Sequence, residues 1–117
     1  MNNKKHLSQP WFNYIKSGEK TIEGRLNKDF WKDLNIDDII IWYNNDKNFK
    51  TKVIKKNIYK SFRDYLSNED LNKCLPNINN IDDGLNIYYQ YYNKDDTAGT
   101  FGEKKYGIVA LHLELCD

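Results

Sequence analysis

The stretch Leu7–Leu26, with the sequence LSQPWFNYIKSGEKTIEGRL, predicts a short helix that turns into a charged strand. Ser8 is placed to cap the helix, Pro10 falls in its first turn, and Gly18 follows its last turn, a pattern typical of helix boundaries. The segment KTIEGRL that comes next alternates in the manner of an extended strand. The stretch therefore predicts a corner between a helix and a strand, with ionisable side chains around it.

Three of these ionisable side chains are Lys20, Glu23 and Arg25. Because Glu23 and Arg25 are separated by one residue, they share a face of the strand and can pair, while Lys20 lies near enough to influence both. Charge spacing alone favours an exposed ion-pair cluster, which contributes little to stability. A functional interpretation needs support from the surrounding sequence.

The length and charge of the chain limit the classes of protein to consider. With 117 residues it suits a single compact domain, residues 1–117. Its formal net charge is +1, so no overall field attracts it to nucleic acid or to an anionic membrane. Contact with a nucleic acid would then depend on a local patch of the surface.

Cysteine usage and hydropathy narrow the classes further. Cys74 and Cys116 form no CxxC pair and have no histidine at the spacing of a zinc site. We expect free thiols in a reducing compartment, no bound metal and no cofactor. No apolar run approaches the roughly 20 residues of a membrane span, and the start of the sequence lacks the apolar run of a signal peptide. These features predict a cytoplasmic or nuclear location and no membrane contact.

The rest of the chain alternates between strand and helix patterns. A continuous apolar run at Ile39–Tyr43 predicts a strand buried on both faces, and a hairpin turn leads to a long strand with a phase break after Val53, typical of a bulge. Two helices follow, the second capped by Asn80. Residues 94–104 look like a loop, and the last strand, KYGIVALHLEL, alternates two apolar faces. This order predicts an α+β fold built on a small, curved sheet or barrel.

The opening motifs resemble those of a known family. Gln9, Pro10 and Trp11 match a Gln-Pro-Trp element, and Gly18 to Arg25 matches the pattern G-x-K-x-x-E-x-R, both of which occur in the ASCH domain family. The resemblance extends from about Leu7 to Leu115 and is to a bacterial-type, single-domain member. Because the family belongs to the PUA-like superfamily, the resemblance implies a small mixed β-barrel with surrounding helices.

The resemblance also implies a polar cleft beside the K-x-x-E-x-R motif that binds RNA or a modified nucleoside. Lys20 and Arg25 suit a phosphate, and Glu23 can accept a hydrogen bond from the amino group of a base. Aromatic side chains would stack on the base. The candidates are Trp11, Trp42, Tyr43, Tyr89 and Tyr92, although for any one of them core packing is the favoured explanation. The ligand-binding residues predicted in this way are Gln9, Trp11, Lys20, Glu23, Arg25, Trp42, Tyr43 and Tyr89.

Two alternatives to a binding module stay open at this point. One branch of the family looks like amidohydrolases of N4-acylated cytidine, which use a lysine, a threonine three residues later and a distant glutamate. Lys20 matches the lysine, but Glu23 stands at the threonine position and has no hydroxyl. A ribonuclease is a second enzymatic alternative, and in either enzyme Lys20 and Glu23 would be catalytic. The other alternative is a domain that binds a protein partner in a larger assembly; the sequence does not predict an oligomeric state.

Overall fold

The computed structural model describes residues 3–92 and 102–116, which form a mixed α+β fold. The strands are β1 (Lys4–His6), β2 (Ile22–Leu26), β3 (Ile39–Asn44), β4 (Lys47–Tyr59) and β5 (Ile108–Leu115). The helices are α1 (Trp11–Ser17), α2 (Asp29–Asp33), α3 (Phe62–Asn68), α4 (Leu71–Cys74), α5 (Ile81–Tyr91) and α6 (Gly102–Tyr106). Within the described ranges, no helix is long and apolar enough to cross a membrane.

The strands form one curled, half-barrel sheet in the order β1-β3-β4-β5-β2. β1 runs parallel to β3, and the other neighbouring pairs are antiparallel, so the sheet is mixed. The predicted fold class, a small mixed barrel-like sheet with surrounding helices, is confirmed. In this order β1 and β2 are the two edges of the sheet. The cleft lies between these two edges.

The last strand, β5, separates two apolar clusters. Its alternate residues face opposite sides of the sheet, as the sequence predicts. Ile108 and Ala110 join the cluster under α3 and α5, whereas Val109 and Leu111 join the cluster under α1. All four side chains are fully buried. The sheet is therefore covered on both faces, and the site is built at its edges.

Several local predictions are confirmed in the strands and helices. The register between β4 and β5 shifts between Val53 and Lys55, which is the predicted bulge. The side chain of Asn80 caps α5 by accepting a hydrogen bond from the backbone N–H of Asp83 at 2.9 Å. Gly18 ends α1 in the left-handed conformation, with φ of 88°. These features depend on short-range geometry, so the sequence predicts them well.

The predicted cap at Ser8 is wrong. The first helix begins two residues later than the cap requires, at Trp11, and no side chain caps the Pro10 position. The side-chain oxygen of Gln9 instead accepts a hydrogen bond from the backbone N–H of Asn13 at 3.1 Å. Gln9, and not Ser8, therefore provides the side-chain hydrogen bond at the start of α1.

The predicted loop over residues 94–104 is tested only at its end, because residues 93–101 lie outside the described ranges. Gly102 and Glu103 begin α6 and are not in a loop. The carboxylate of Glu103 accepts hydrogen bonds from the backbone N–H of Phe62 at 2.7 Å and from the hydroxyl of Tyr89 at 3.0 Å. These long-range contacts hold α6 against α3 and α5, and the local sequence gives no sign of them.

Gly24 in β2 packs closely beneath the ring of Tyr65. A Cβ atom added at Gly24 would lie 2.6 Å from Cε2 and 2.7 Å from Cζ of that ring. Such distances are far inside van der Waals contact, and Tyr65 is fully buried and cannot swing away. Glycine at this position therefore allows α3 to pack directly on the edge strand.

We expect Gly24→Ala to lower the free energy of unfolding by about 1–3 kcal/mol, the usual cost of overpacking a core. Urea denaturation of the purified protein would measure it. In the double variant with Tyr65→Leu, the glycine substitution should cost much less, because the ring that it strikes is gone. If the two substitutions lowered the free energy of unfolding additively in the double variant, this explanation would be contradicted.

Candidate functional site

The ammonium group of Lys20 is buried at the corner between α1 and β2. Its side chain is 1% exposed. Nζ donates hydrogen bonds to the backbone carbonyls of Ile22, at 2.6 Å, and of Cys74, and it lies 3.1 Å from Oε1 of Glu23. An ammonium group has three N–H donors, so each one has an acceptor here. Lys20 is therefore a fully bonded buried cation, unlike the ligand-facing cation that the motif suggests.

The carboxylate of Glu23 lies between two cations. Its Oε1 faces Lys20, and its Oε2 accepts hydrogen bonds from both Nε and Nη2 of Arg25 at 2.9 Å. Burial by itself would raise the pKa of Glu23. The charges of Lys20 and Arg25, together with their hydrogen bonds, outweigh that effect and hold the pKa below its ordinary value of 4.5. The three side chains form an ionised network with a net charge of +1.

A pair of indole rings holds Arg25 in place. The guanidinium carbon lies 4.5 Å from the ring centroid of Trp31 and 5.5 Å from that of Trp42. The two indoles are stacked, with centroids 5.9 Å apart and planes inclined by 15°. Cation–π attraction and the bonds to Glu23 fix the orientation of the guanidinium, whose side chain is 19% exposed. Trp31 has this role although the sequence motifs do not include it.

A cavity of about 370 Å³ opens above this network. It lies between the two edge strands, β1 and β2, with α1 and α5 at its sides. Its volume is in the range of small-molecule sites in proteins. The lining residues from the edge strands and α1 are His6, Leu7, Ser8, Trp11, Lys20, Glu23, Gly24 and Arg25, and those from the helical side are Leu75, Ile87, Tyr88, Tyr91 and Tyr92.

Half of the predicted ligand-binding residues line this cavity: Trp11, Lys20, Glu23 and Arg25. Tyr92, a further aromatic candidate, lines it as well. Burial raises the pKa of the Tyr92 hydroxyl, while the charge of Arg25 acts in the opposite direction. The charged residues of the K-x-x-E-x-R motif therefore border this cavity.

Trp42 and Tyr89, which the sequence predicts as walls of a cleft, do not line this cavity. Trp42 is fully buried in the core, and its indole N–H donates to the hydroxyl of Thr51 at 2.9 Å. The hydroxyl of Tyr89 bonds to Glu103 on the far side of α5. Trp42 contacts the site through Arg25.

Gln9 and Tyr43 also lie outside the cavity lining. The side chain of Gln9 bonds to Asn13 and organises the start of α1. Tyr43 packs with its ring edge-on to His6, at 5.4 Å between ring centroids. Both residues support neighbours of the cleft, and neither contributes to its wall.

Apart from Tyr92, the helical wall of the cleft is the part that sequence analysis missed. Ile87, Tyr88, Tyr91 and Tyr92 come from the end of α5, where their spacing brings them to one side of the helix. The tyrosine-rich sequence indicates an aromatic face but not the surface that it meets. The Tyr88 hydroxyl lies 2.9 Å from that of Tyr65, and burial raises its pKa well above the ordinary value, so it stays neutral.

Other groups that catalysis could use lie away from the cleft. Thr21, the nearest threonine to the motif, borders a separate small cavity beside Ile15 and Thr51. Glu69 bonds to His112 at 3.0 Å and to the hydroxyl of Tyr59, and neither acid nor imidazole lines the cleft. In the part of the chain that the structure describes, no three acids, histidines or cysteines are grouped to hold a metal ion.

Replacing Lys20 with methionine should destabilise the protein strongly. The substitution leaves a buried carboxylate and two carbonyls without their shared donor, which predicts a loss of about 3–5 kcal/mol in the free energy of unfolding. Urea denaturation would measure it. Lys28→Met is a matched control, because Lys28 is well exposed and its carboxylate partner lies 4.0 Å away. Equal effects of the two variants would contradict the role assigned to Lys20.

The acid dependence of stability should report the ionised state of Glu23. Folding lowers its pKa from 4.5, so its contribution is complete above that pH and is lost as the pH falls through the lower, folded value. The difference in free energy of unfolding between wild type and Glu23→Gln should therefore be largest at neutral pH and narrow in acid. Glu114→Gln, at an exposed carboxylate, provides the control. A constant difference for Glu23→Gln across the pH range would rule out the paired carboxylate.

A family model and two solved structures match nearly the whole chain. The sequence model of the ASCH domain matches residues 6–116. Among solved structures, hypothetical protein PH0355 is 33% identical, with a TM-score of 0.84 over 97% of each chain. Protein PF0455 from Pyrococcus furiosus, solved by NMR in solution, is 31% identical, with a TM-score of 0.77 over 100% of this chain and 99% of that one. No curated protein matches.

These matches cover nearly the whole sequence, and the curled mixed sheet is compatible with the PUA-like fold that the motifs imply. Hypothetical protein PH0355 is similar to this chain in both sequence and structure across almost its full length. The chain belongs to the ASCH domain family.

Proposed function

We propose that the cleft binds a nucleobase, presented either by RNA or by a modified nucleoside. The observation that carries the proposal is the pairing of an ionised, net positive floor, formed by Lys20, Glu23 and Arg25, with aromatic side walls. A nucleobase offers a polar edge and two flat faces, and its sugar carries a phosphate in RNA. The ASCH family is generally associated with nucleic acids, which agrees with this class of ligand.

The aromatic walls supply surfaces on which a base can stack. Trp11 is half-buried on one side of the cleft, and Tyr91, which is 52% exposed, is on the other. Stacking of a base on an aromatic ring contributes about 1–3 kcal/mol and tolerates any base. A site of this kind binds planar ligands without needing a side chain of altered reactivity.

The floor is suited to recognition of an anionic or electron-rich group. Glu23 occupies Nε and one Nη of Arg25, and a guanidinium has five N–H donors in all. A further side-chain hydrogen bond joins Arg25 to Tyr92, and the other donors belong to a guanidinium whose orientation is fixed by Trp31. A preorganised donor set loses little entropy on binding, which favours affinity. Arg25 is therefore the residue that we assign to direct contact with the ligand.

The same contacts favour binding over hydrolysis. A base or nucleophile must reach the reacting group, whereas the amine of Lys20 is buried and directed at three acceptors of the protein itself. Glu23 has both oxygens engaged by cations, so it is a weak base. Neither an amidohydrolase nor a ribonuclease mechanism gains a specific supporting observation, and we assign Lys20 and Glu23 to organising Arg25.

Fluorescence anisotropy with short single-stranded RNAs, and calorimetry with canonical and modified nucleosides, would test the proposal. We expect Tyr91→Ala to weaken binding by about 5- to 150-fold, the equivalent of one lost stacking contact. Its exposed position makes the substitution harmless to the fold. Tyr43→Ala is the matched control, because it removes an aromatic ring outside the cleft, and its affinity should equal that of wild type.

Three results would overturn the proposal. The first is absence of salt-sensitive or stacking-dependent binding across the whole panel. The second is equal loss of affinity in Tyr91→Ala and Tyr43→Ala, which would assign binding to another surface. The third is release of a hydrolysis product, detected by mass spectrometry and abolished by Glu23→Gln, which would make the protein an enzyme.

A further inference from the structure

The backbone of β2 presents one open pair of hydrogen-bonding groups to the cleft. The backbone N–H of Leu113 donates to the carbonyl of Thr21 at 2.8 Å, and that of Asn27 donates to Gly107 at 3.0 Å. In an antiparallel pair, alternate residues exchange hydrogen bonds with the partner strand. The regular register between β2 and β5 therefore directs the backbone groups of Glu23 and Arg25 toward β5. The backbone groups of the residues in between point away from β5, toward the free edge of the sheet.

Three residues of β2 thus face the edge: Ile22, Gly24 and Leu26. The carbonyl of Ile22 accepts from Nζ of Lys20, and the carbonyl of Leu26 accepts from the backbone N–H of Lys28 at 2.9 Å. The register turns the N–H and the carbonyl of Gly24 away from β5, and no other residue within 3–92 and 102–116 bonds to either group. Gly24 is also buried, and it lines the cavity.

An unpaired N–H and carbonyl at a buried residue is unusual, because such groups are nearly always bonded to protein, water or ligand. On an extended residue the two groups point in the same direction. They therefore suit a ligand that carries one donor and one acceptor side by side. The Watson–Crick edge of an unpaired base has this arrangement, and proteins read it in single-stranded RNA.

We infer that the base enters the cleft edge-first and that its Watson–Crick edge pairs with the N–H and carbonyl of Gly24. This inference rests on the proposed function and specifies its ligand class: an unpaired base, with no modification on that edge. The aromatic walls then contact the two faces of the base, and Arg25 contacts its polar substituents or phosphate. Base-paired RNA is excluded, because its Watson–Crick edges are occupied.

An added β-strand is the other partner that a sheet edge can bind. A strand needs successive edge-facing residues with open backbone groups, and here the neighbours on both sides of Gly24 have their carbonyls occupied. Within the described part of β2, only Gly24 has both its N–H and its carbonyl open. A single donor and acceptor pair matches a base better than it matches an extended peptide.

Amide hydrogen exchange followed by NMR on the ¹⁵N-labelled full chain would test the inference. In the free protein the Gly24 amide should exchange fast, whereas the amides of Glu23 and Arg25, bonded to β5, should be protected. Titration with adenosine, cytidine, guanosine and uridine would then identify a bound nucleoside. Binding should shift the Gly24 resonance and slow its exchange by at least about tenfold, as a new hydrogen bond requires.

Methylated nucleosides would show whether binding depends on the Watson–Crick edge or on another part of the ligand. A methyl group on the Watson–Crick edge, as in 3-methyluridine or 1-methyladenosine, should weaken binding at least about tenfold, because it blocks the paired edge. The 2′-O-methyl form of the same nucleoside keeps that edge free and is the matched control, which should bind like the parent.

Protection of the Gly24 amide in the free protein, equal to that of Glu23, would overturn the inference. So would nucleoside binding that depends on Tyr91 but leaves the Gly24 amide unchanged, and in that case the proposed function stands. Failure of all four nucleosides to bind would overturn the inference and count against the proposed function as well. Protection of Gly24 by an extended peptide would assign the edge to a protein partner.

Discussion

The fold and the cleft both depend on the buried ammonium group of Lys20. Its three acceptors come from different parts of the chain: a carbonyl of β2, a carbonyl at the end of α4, and the carboxylate of Glu23. A buried charge is tolerated only when the protein replaces its water shell, so all three acceptors must be in place together. This one requirement ties the corner after α1 to β2 and brings α4 against the edge of the sheet.

The same requirement produces a site. Glu23 is ionised because Lys20 and Arg25 flank it, and its second oxygen orients the guanidinium of Arg25. Stacked indoles hold that guanidinium from the other side. The sheet curls without joining β1 to β2, so a gap remains above the network, and α5 closes that gap with tyrosines. The charged network, the aromatic side chains of α5 and the open edge of β2 therefore line the same cleft.

Much of the fold could be predicted from the sequence because its signals are local. The glycine after α1, the bulge after Val53, the cap at Asn80 and the two faces of β5 each depend on a few neighbouring residues. The aromatic walls were harder to predict. Aromatic residues make up 15% of the chain, and a tyrosine or tryptophan packs equally well in a core or a cleft. The sequence therefore did not separate Trp42, which is core, from Tyr91, which is wall.

By itself the sequence determined the family motif, the α+β class and the grouping of Lys20, Glu23 and Arg25, because these follow from spacing along one short segment. Only the tertiary structure decided that Lys20 is buried and fully bonded, that α5 forms the opposite wall, and that the edge of β2 at Gly24 stays open. The reason is physical: burial, cavity walls and unpaired edges depend on contacts between residues far apart in the chain. No local pattern specifies them.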